Sequence, residues 1–114
     1  MRAGKRNRRV RFERNETVHD PRFGGGAPAW VEVCTVWAEV QDVLPSKAES
    51  APDGVEVALR PARVRMSYRA GLTSDMRIVV LGTIPRVLDI VAGPAELGHR
   101  EGLEFVAQEV SRHG

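Results

Sequence analysis

The side chains able to do chemistry near neutral pH are few and scattered. His19, His99 and His113 are the three histidines, and Cys34 is the single cysteine. No two of them stand at metal-ligand spacing. Each histidine falls in a polar loop or at the end of the chain, so they read as exposed loop residues. Cys34 lies within "WVEVCTVWAEVQDV" and reads as a small core residue, not a nucleophile. A lone cysteine makes no intramolecular disulfide, a pattern that suits a reducing cytoplasm. Asp89 and Glu109 are isolated acids near strand ends, with nothing to pair them for acid–base work. The three glycines at 24–26 lack the helix and lysine of a phosphate cradle, so they read as loop flexibility. No Gly-x-Ser-x-Gly, P-loop or dinucleotide fingerprint is present. These residues support neither an enzyme nor a bound metal or cofactor.

Charge is the stronger signal. Residues 1–14 hold seven basic side chains against Glu13, a net of +6, and the other 100 residues hold ten basic against fourteen acidic, a net of −4. A basic arm on a mildly acidic body follows, with the arm placed at residues 1–8. Two readings of Arg6, Arg8, Arg9 and Arg11 stand side by side. They meet phosphates, or they meet the acidic body of a neighbouring copy. Trp30 and Trp37 have faces on which bases stack, but strand tryptophans are more often core or interface anchors.

The elements that position these residues are strands. In "RRVRFER", Val10 and Phe12 point one way and Arg9, Arg11 and Glu13 the other, a strand with one wet face. "NETVHDPRFGGGAPA" is a long, flexible loop that reads as a hairpin connection. In the next strand Val31, Val33, Thr35 and Trp37 share one face. Trp30, Glu32, Cys34, Val36, Ala38 and Val40 share the other. Apolar groups on both sides predict a central strand, covered on both faces for part of its length. "LPSKAESAPDG" is a mobile excursion with at most one helical turn at 46–50, capped by Ser46 with Glu49 three residues on. "RVRMSYRAG" sends Val64, Met66 and Tyr68 inward, and Gly71 follows in a turn. "RIVVLG" and "RVLDIVAG" are short strands broken at Pro85, and "PAELGHREG" reads as a polar loop. "LEFVAQEV" closes the chain as a strand with Leu103, Phe105 and Ala107 on one face, although helical spacing also groups Leu103, Val106 and Val110.

These elements predict an all-β fold: a small antiparallel β-barrel or sandwich of about six strands, with long loops and little helix, in a single domain over residues 1–114. Closing such a sheet hides the apolar faces and removes open edges. No apolar run approaches the roughly 20 residues that span a bilayer, and the basic N-terminus continues into polar sequence, so neither a membrane segment nor a targeting segment is expected.

The order "MRAGKRNRRVRFER", "WVEVCTVWAEVQ", "RVRMSYRAGLTSDMRIVVLG", "VLDI", "LEFVAQEV" resembles the head–tail joining proteins of long-tailed bacteriophages, also called head-closure or stopper proteins. The resemblance covers nearly the whole chain. Its most specific pieces are "VWAEV" at 36–40 and the arginine–aromatic–arginine strand that turns into "MRI", residues 63–78. The chain differs from many members at "ESAPDG", where relatives carry larger apolar side chains and a helix, and at Pro85 and Leu88.

The resemblance implies a structural virion protein of the phage neck. Members form a ring of six or twelve copies beneath the portal–adaptor complex, with the tail terminator or tail tube docking on the other side and genomic DNA passing through the channel. The place of action is then the head–tail interface of the virion, after assembly in the host cytoplasm. In some members the loop between the second and third strands closes the channel. The matching segment is 42–58, and its Asp42, Lys47, Glu49, Asp53 and Glu56 give a mixed, acid-leaning surface that repels phosphate weakly. An ordinary surface loop is the other reading of that segment. The subunit and adaptor interface is expected from Arg6, Arg8, Arg9 and Arg11 with the apolar anchors Phe12, Phe23 and Trp30, because exposed ion pairs alone contribute only about 0–1 kcal/mol each. Two alternatives remain: a nucleic-acid-binding small β-barrel using the basic arm, and another tail-completion ring protein.

Overall fold

The computed structural model describes residues 6–20, 25–27, 29–43 and 59–110. Among the described residues there are eight strands: β1 (Arg8–Asn15), β2 (Val18–Asp20), β3 (Gly25–Ala27), β4 (Trp30–Asp42), β5 (Leu59–Ser67), β6 (Arg77–Val80), β7 (Arg86–Leu97) and β8 (Gly102–Val110). Six of them close an antiparallel barrel in the order β1-β4-β5-β8-β7-β6, and no helix occurs among the described residues. The expected all-β barrel is therefore the fold. The long loop before β4 contains a small hairpin, in which Asp20 pairs with Gly25 and His19 with Gly26. The expected helical turn at 46–50, and with it Phe23, Lys47, Glu49, Asp53, Glu56 and His113, lies outside the described residues.

Period-2 alternation builds the core. Val10 and Phe12 of β1, Cys34 and Ala38 of β4, Val64 and Met66 of β5, Ile78 and Val80 of β6, Leu88 of β7 and Leu103 and Phe105 of β8 all point into the barrel and are buried. The last strand follows its strand reading, with Leu103, Phe105 and Ala107 inward. Phe12 and Phe105 meet at the centre with ring centroids 5.2 Å apart and planes tilted by 52°. Such a tilted pair adds about 0.5–1.5 kcal/mol beyond the area it buries. Small residues sit among these large ones: Ala38 lies opposite Met66, and Ala62 and Ala107 face each other as a small pair. Alternation of small and large side chains suits so narrow a barrel.

Two irregularities correct the sequence reading. Between Phe12 and Glu13 the pairing with β4 slips by one residue, from Phe12↔Cys34 to Glu13↔Glu32. Val33 is the extra residue of this β-bulge, and beyond it every side chain of β4 changes face. Trp30 and Glu32 therefore stand outside the barrel, not with Cys34 inside it. Nor is β4 covered on both faces, because Trp37 on its outer face is 56% exposed. The second irregularity is in β7, which runs through the expected polar loop to Leu97 and leaves only residues 98–101 as a turn. Register shifts after Ile90 and after Ala92 absorb Gly93 and Pro94. At Gly93 (φ +106°) an added Cβ would sit 2.7 Å from the Glu104 carbonyl oxygen, so only glycine fits.

The barrel ends differ. At one end the β5–β6 connection folds Leu72 and Met76 over the core. At the other, the last inward-facing positions are charged: Asp42, Arg60, Arg86 and Glu109. Arg86 Nη2 donates to Asp42 Oδ1 at 2.9 Å and its Nε donates to Glu109 Oε2 at 3.2 Å, while Arg60 approaches Glu109 at 3.5 Å. Phe105→Ala should cost about 3–5 kcal/mol, the usual range for deleting a fully buried ring. A urea denaturation series on wild type and variant measures it, and a loss under about 1 kcal/mol would mean the core is not packed as described.

Candidate functional site

A barrel whose interior is filled by its own side chains must act through its outer wall and its rims. The outer wall of β1 is where the basic run folds. Alternation puts Arg9, Arg11 and Glu13 outside, and position i+2 lies on the same face as i. Arg11 Nε donates to Glu13 Oε2 at 2.8 Å. Across the sheet, Arg77 lies opposite Glu13 and its Nε donates to the second oxygen, Oε1, at 2.7 Å. Glu13 is only 6% exposed, so both lone-pair faces of a nearly buried carboxylate are taken by guanidinium groups. The other face of the Arg77 guanidinium covers the Trp30 ring, 4.2 Å from its centroid. This arrangement exists because the bulge turns Trp30 outward.

Arg14 pairs with Glu16 at 2.5 Å on the exposed rim. Arg9 lies opposite Trp37 in register, with its guanidinium 5.5 Å from the ring centroid. Two of the basic run's arginines are thus held by acids two residues further on, and a third lies on an aromatic face. The clue in the sequence is Arg-x-Glu spacing, present at 11/13 and 14/16. On β5 and β8, Arg65 Nε donates to Glu104 Oε1 at 2.7 Å, and that bond, reinforced by the Glu104 charge, raises the Arg65 pKa above its ordinary value.

The expected site residues separate into distinct places. Arg6 lines an open cleft of about 580 Å³ together with Trp37, Met66, Tyr68 and Arg69. Arg8 is exposed at the start of β1. Phe12 is fully buried at the centre of its own barrel, so it has no surface to give a neighbour, and its expected role as an interface anchor does not stand. Trp30 is half-buried under Arg77. Asp42 belongs to the charged barrel end, where Arg86 holds it. Burial works against the Arg86 charge, but hydrogen bonds to Asp42 and Glu109 outweigh it and the pKa is raised. Glu109 is therefore an ion-pair partner of this rim, a role that isolated spacing did not reveal.

Cys34 is buried, as expected of a core residue. Burial pushes its thiol pKa up, Arg69 pulls it down and Glu32 pushes it up, and burial prevails. Among the described residues no group of three histidine, cysteine or acidic side chains is placed to hold a metal ion, and no helix is long and apolar enough to cross a membrane.

Comparison with known proteins bears on this geometry. A family model described as phage head completion protein matches residues 1–110. No curated protein matches the chain. The chain is similar to the solution structure of protein SF1141 from Shigella flexneri 2a, with 29% identity, a TM-score of 0.69 and 96% of each chain covered.

The site geometry generates two predictions. Glu13→Gln leaves two guanidinium groups without their charged acceptor and should destabilise the fold by about 1–3 kcal/mol, whereas Glu16→Gln on the exposed pair should cost less than about 1 kcal/mol. Equal urea midpoints for the two variants would contradict this. Cys34 should react with a soluble thiol reagent at pH 8 at least about tenfold more slowly in the native protein than in the urea-unfolded chain, followed by absorbance of the released chromophore.

Proposed function

The chain belongs to the phage head completion protein family, a structural family of the virion, and from that premise we propose that copies of it form a ring in the phage neck, between the portal–adaptor complex and the tail. The ring closes the DNA-filled head and offers the tail its docking surface. The observation that carries this reading is the family match over residues 1–110 to a closed barrel whose interior positions are occupied by its own side chains. An interior filled by Phe12, Met66, Phe105 and Leu88 leaves no room for a substrate or for DNA. Any DNA channel therefore runs between copies and not through one.

Within this reading the ring has six or twelve copies. The basic arm, residues 1–8, and the exposed arginines beside it meet the acidic body of the next copy or the adaptor above. The segment 42–58 faces the channel, and Arg86 fixes its root through Asp42. The protein is assembled in the host cytoplasm and resides at the head–tail interface. Engagement of Arg11 by Glu13 supports a protein-facing role for the basic strand over a phosphate-binding one. A phosphate grip needs guanidinium groups presented to solvent.

Negative-stain imaging of the purified protein mixed with portal–adaptor complexes should show an added ring of density on the adaptor face, absent without the protein. A protein that ignores those complexes and instead binds short duplex DNA, with an affinity falling steeply as salt rises, would overturn the neck reading in favour of a nucleic-acid-binding barrel.

A further inference from the structure

Two unlike surfaces stand on opposite walls of the barrel. In the order β1-β4-β5-β8-β7-β6, the β4/β5 and β7/β6 junctions are three strands apart in either direction. At the first junction the ladder runs only from Asp42↔Ala62 to Ala38↔Met66. Beyond Met66 the two strands part, and the cleft described above opens between them. Val36, Trp37, Met66 and Tyr68 give it an apolar lining, and Arg6 and Arg69 give it positive charge. Arg9, over the Trp37 ring, adds a further cation at its edge.

The opposite wall is a ridge. Ile84, on the turn between β6 and β7, is 83% exposed, more than any other large hydrophobic side chain among the described residues. Val87 and Val91 follow it on β7, also exposed. Val79 of β6 lies beside Val87 in register but is buried, so the exposed strip is Ile84, Val87 and Val91. Asp89 stands exposed between the two valines. Arg86, the one basic side chain of residues 81–92, is turned into the barrel end and held there by Asp42 and Glu109. The outer face of β7 is thus apolar around one exposed carboxylate, and Arg77, opposite Asp89 on β6, is held by Glu13.

We propose that the β6–β7 ridge of one copy seats in the β4–β5 cleft of the next. Ile84 and Val87 fill the apolar lining, and Asp89 faces Arg6 and Arg69. The occupant is a second copy of this chain because each surface supplies what the other lacks in shape and in charge, and every copy carries one of each. Their placement on opposite walls excludes a closed two-fold pair, since a copy that gives its ridge to a neighbour still has its cleft open. The contact is heterologous, and it closes into a ring when its rotation divides a full turn. This inference rests on the ring reading above and assigns the faces that make the ring.

Complementation of two defects tests it. Ile84→Asp spoils the ridge, Trp37→Ala with Arg69→Glu spoils the cleft, and all three positions are exposed in the single chain. Circular dichroism and melting temperature close to wild type establish that the variants fold, and Ile84→Ser serves as a milder ridge variant. Sedimentation velocity, with and without portal–adaptor complexes, reads association. Wild type should assemble beyond dimers. Each variant alone should need at least about tenfold more protein to associate. An equimolar mixture should stop at a heterodimer, because the intact ridge of one variant meets the intact cleft of the other. Variants that assemble like wild type would overturn the assigned faces and leave the ring reading in place. Variants that fail alone and give no heterodimer when mixed would overturn the ridge-in-cleft contact. A wild-type chain that remains monomeric under every condition, portal complexes included, would overturn both.

Discussion

Six strands close into a barrel only around an interior that their own side chains can fill, and the pairing of β1 with β6 is the contact that closes it. Val10 and Phe12 of β1 lie opposite Val80 and Ile78 of β6. Removing that pairing would expose two strand edges at once. The filling also decides what the protein does. A wider barrel holds a ligand or conducts water, whereas this one is solid, so every functional surface is on the outside or at an end.

Ion pairs on the outer wall do a different job from the core. Buried apolar area holds the barrel together, while Glu13, Glu104 and Glu109 fix where arginine side chains stand. A long, flexible arginine loses rotamer freedom on binding a partner. Held beforehand by a carboxylate or laid on a tryptophan ring, it has already lost it. Arg9, Arg11 and Arg77 are ordered in this way in the single chain, and a neighbour meets a wall that is already set.

Much of this was legible from residue order, for a physical reason. β1, β5 and β8 alternate without interruption, so their inward residues could be named from period alone: Val10, Phe12, Val64, Met66, Leu103, Phe105 and Ala107 are buried, and Tyr68, just past the end of β5, is partly so. The bulge at Val33 was hidden because apolar residues continue on both faces of β4. Glu32, a charge among residues assigned to the core, was the sign that the face changes there. From Pro94 onward the polar residues of "PAELGHREG" read as a loop, yet two register shifts around Gly93 and Pro94 let β7 carry them. The charged barrel end depends on four strands arriving at one level, which spacing along the chain does not encode. Asp42 and Glu109 could be identified as acids but not as partners of Arg86. Phe12 shows the opposite limit: an aromatic in a basic run resembles a surface anchor until the closed sheet turns it to the centre.

The unlike ends of the barrel give the molecule a direction along its axis. One cap is hydrocarbon, with Leu72 and Met76 folded inward and Arg100 resting over Tyr68 nearby. The other is a lattice of charge around Arg86. Subunits standing side by side would carry this difference into two chemically distinct rims. An object built that way has a top and a bottom, and turning it over would set the wrong chemistry against whatever it meets.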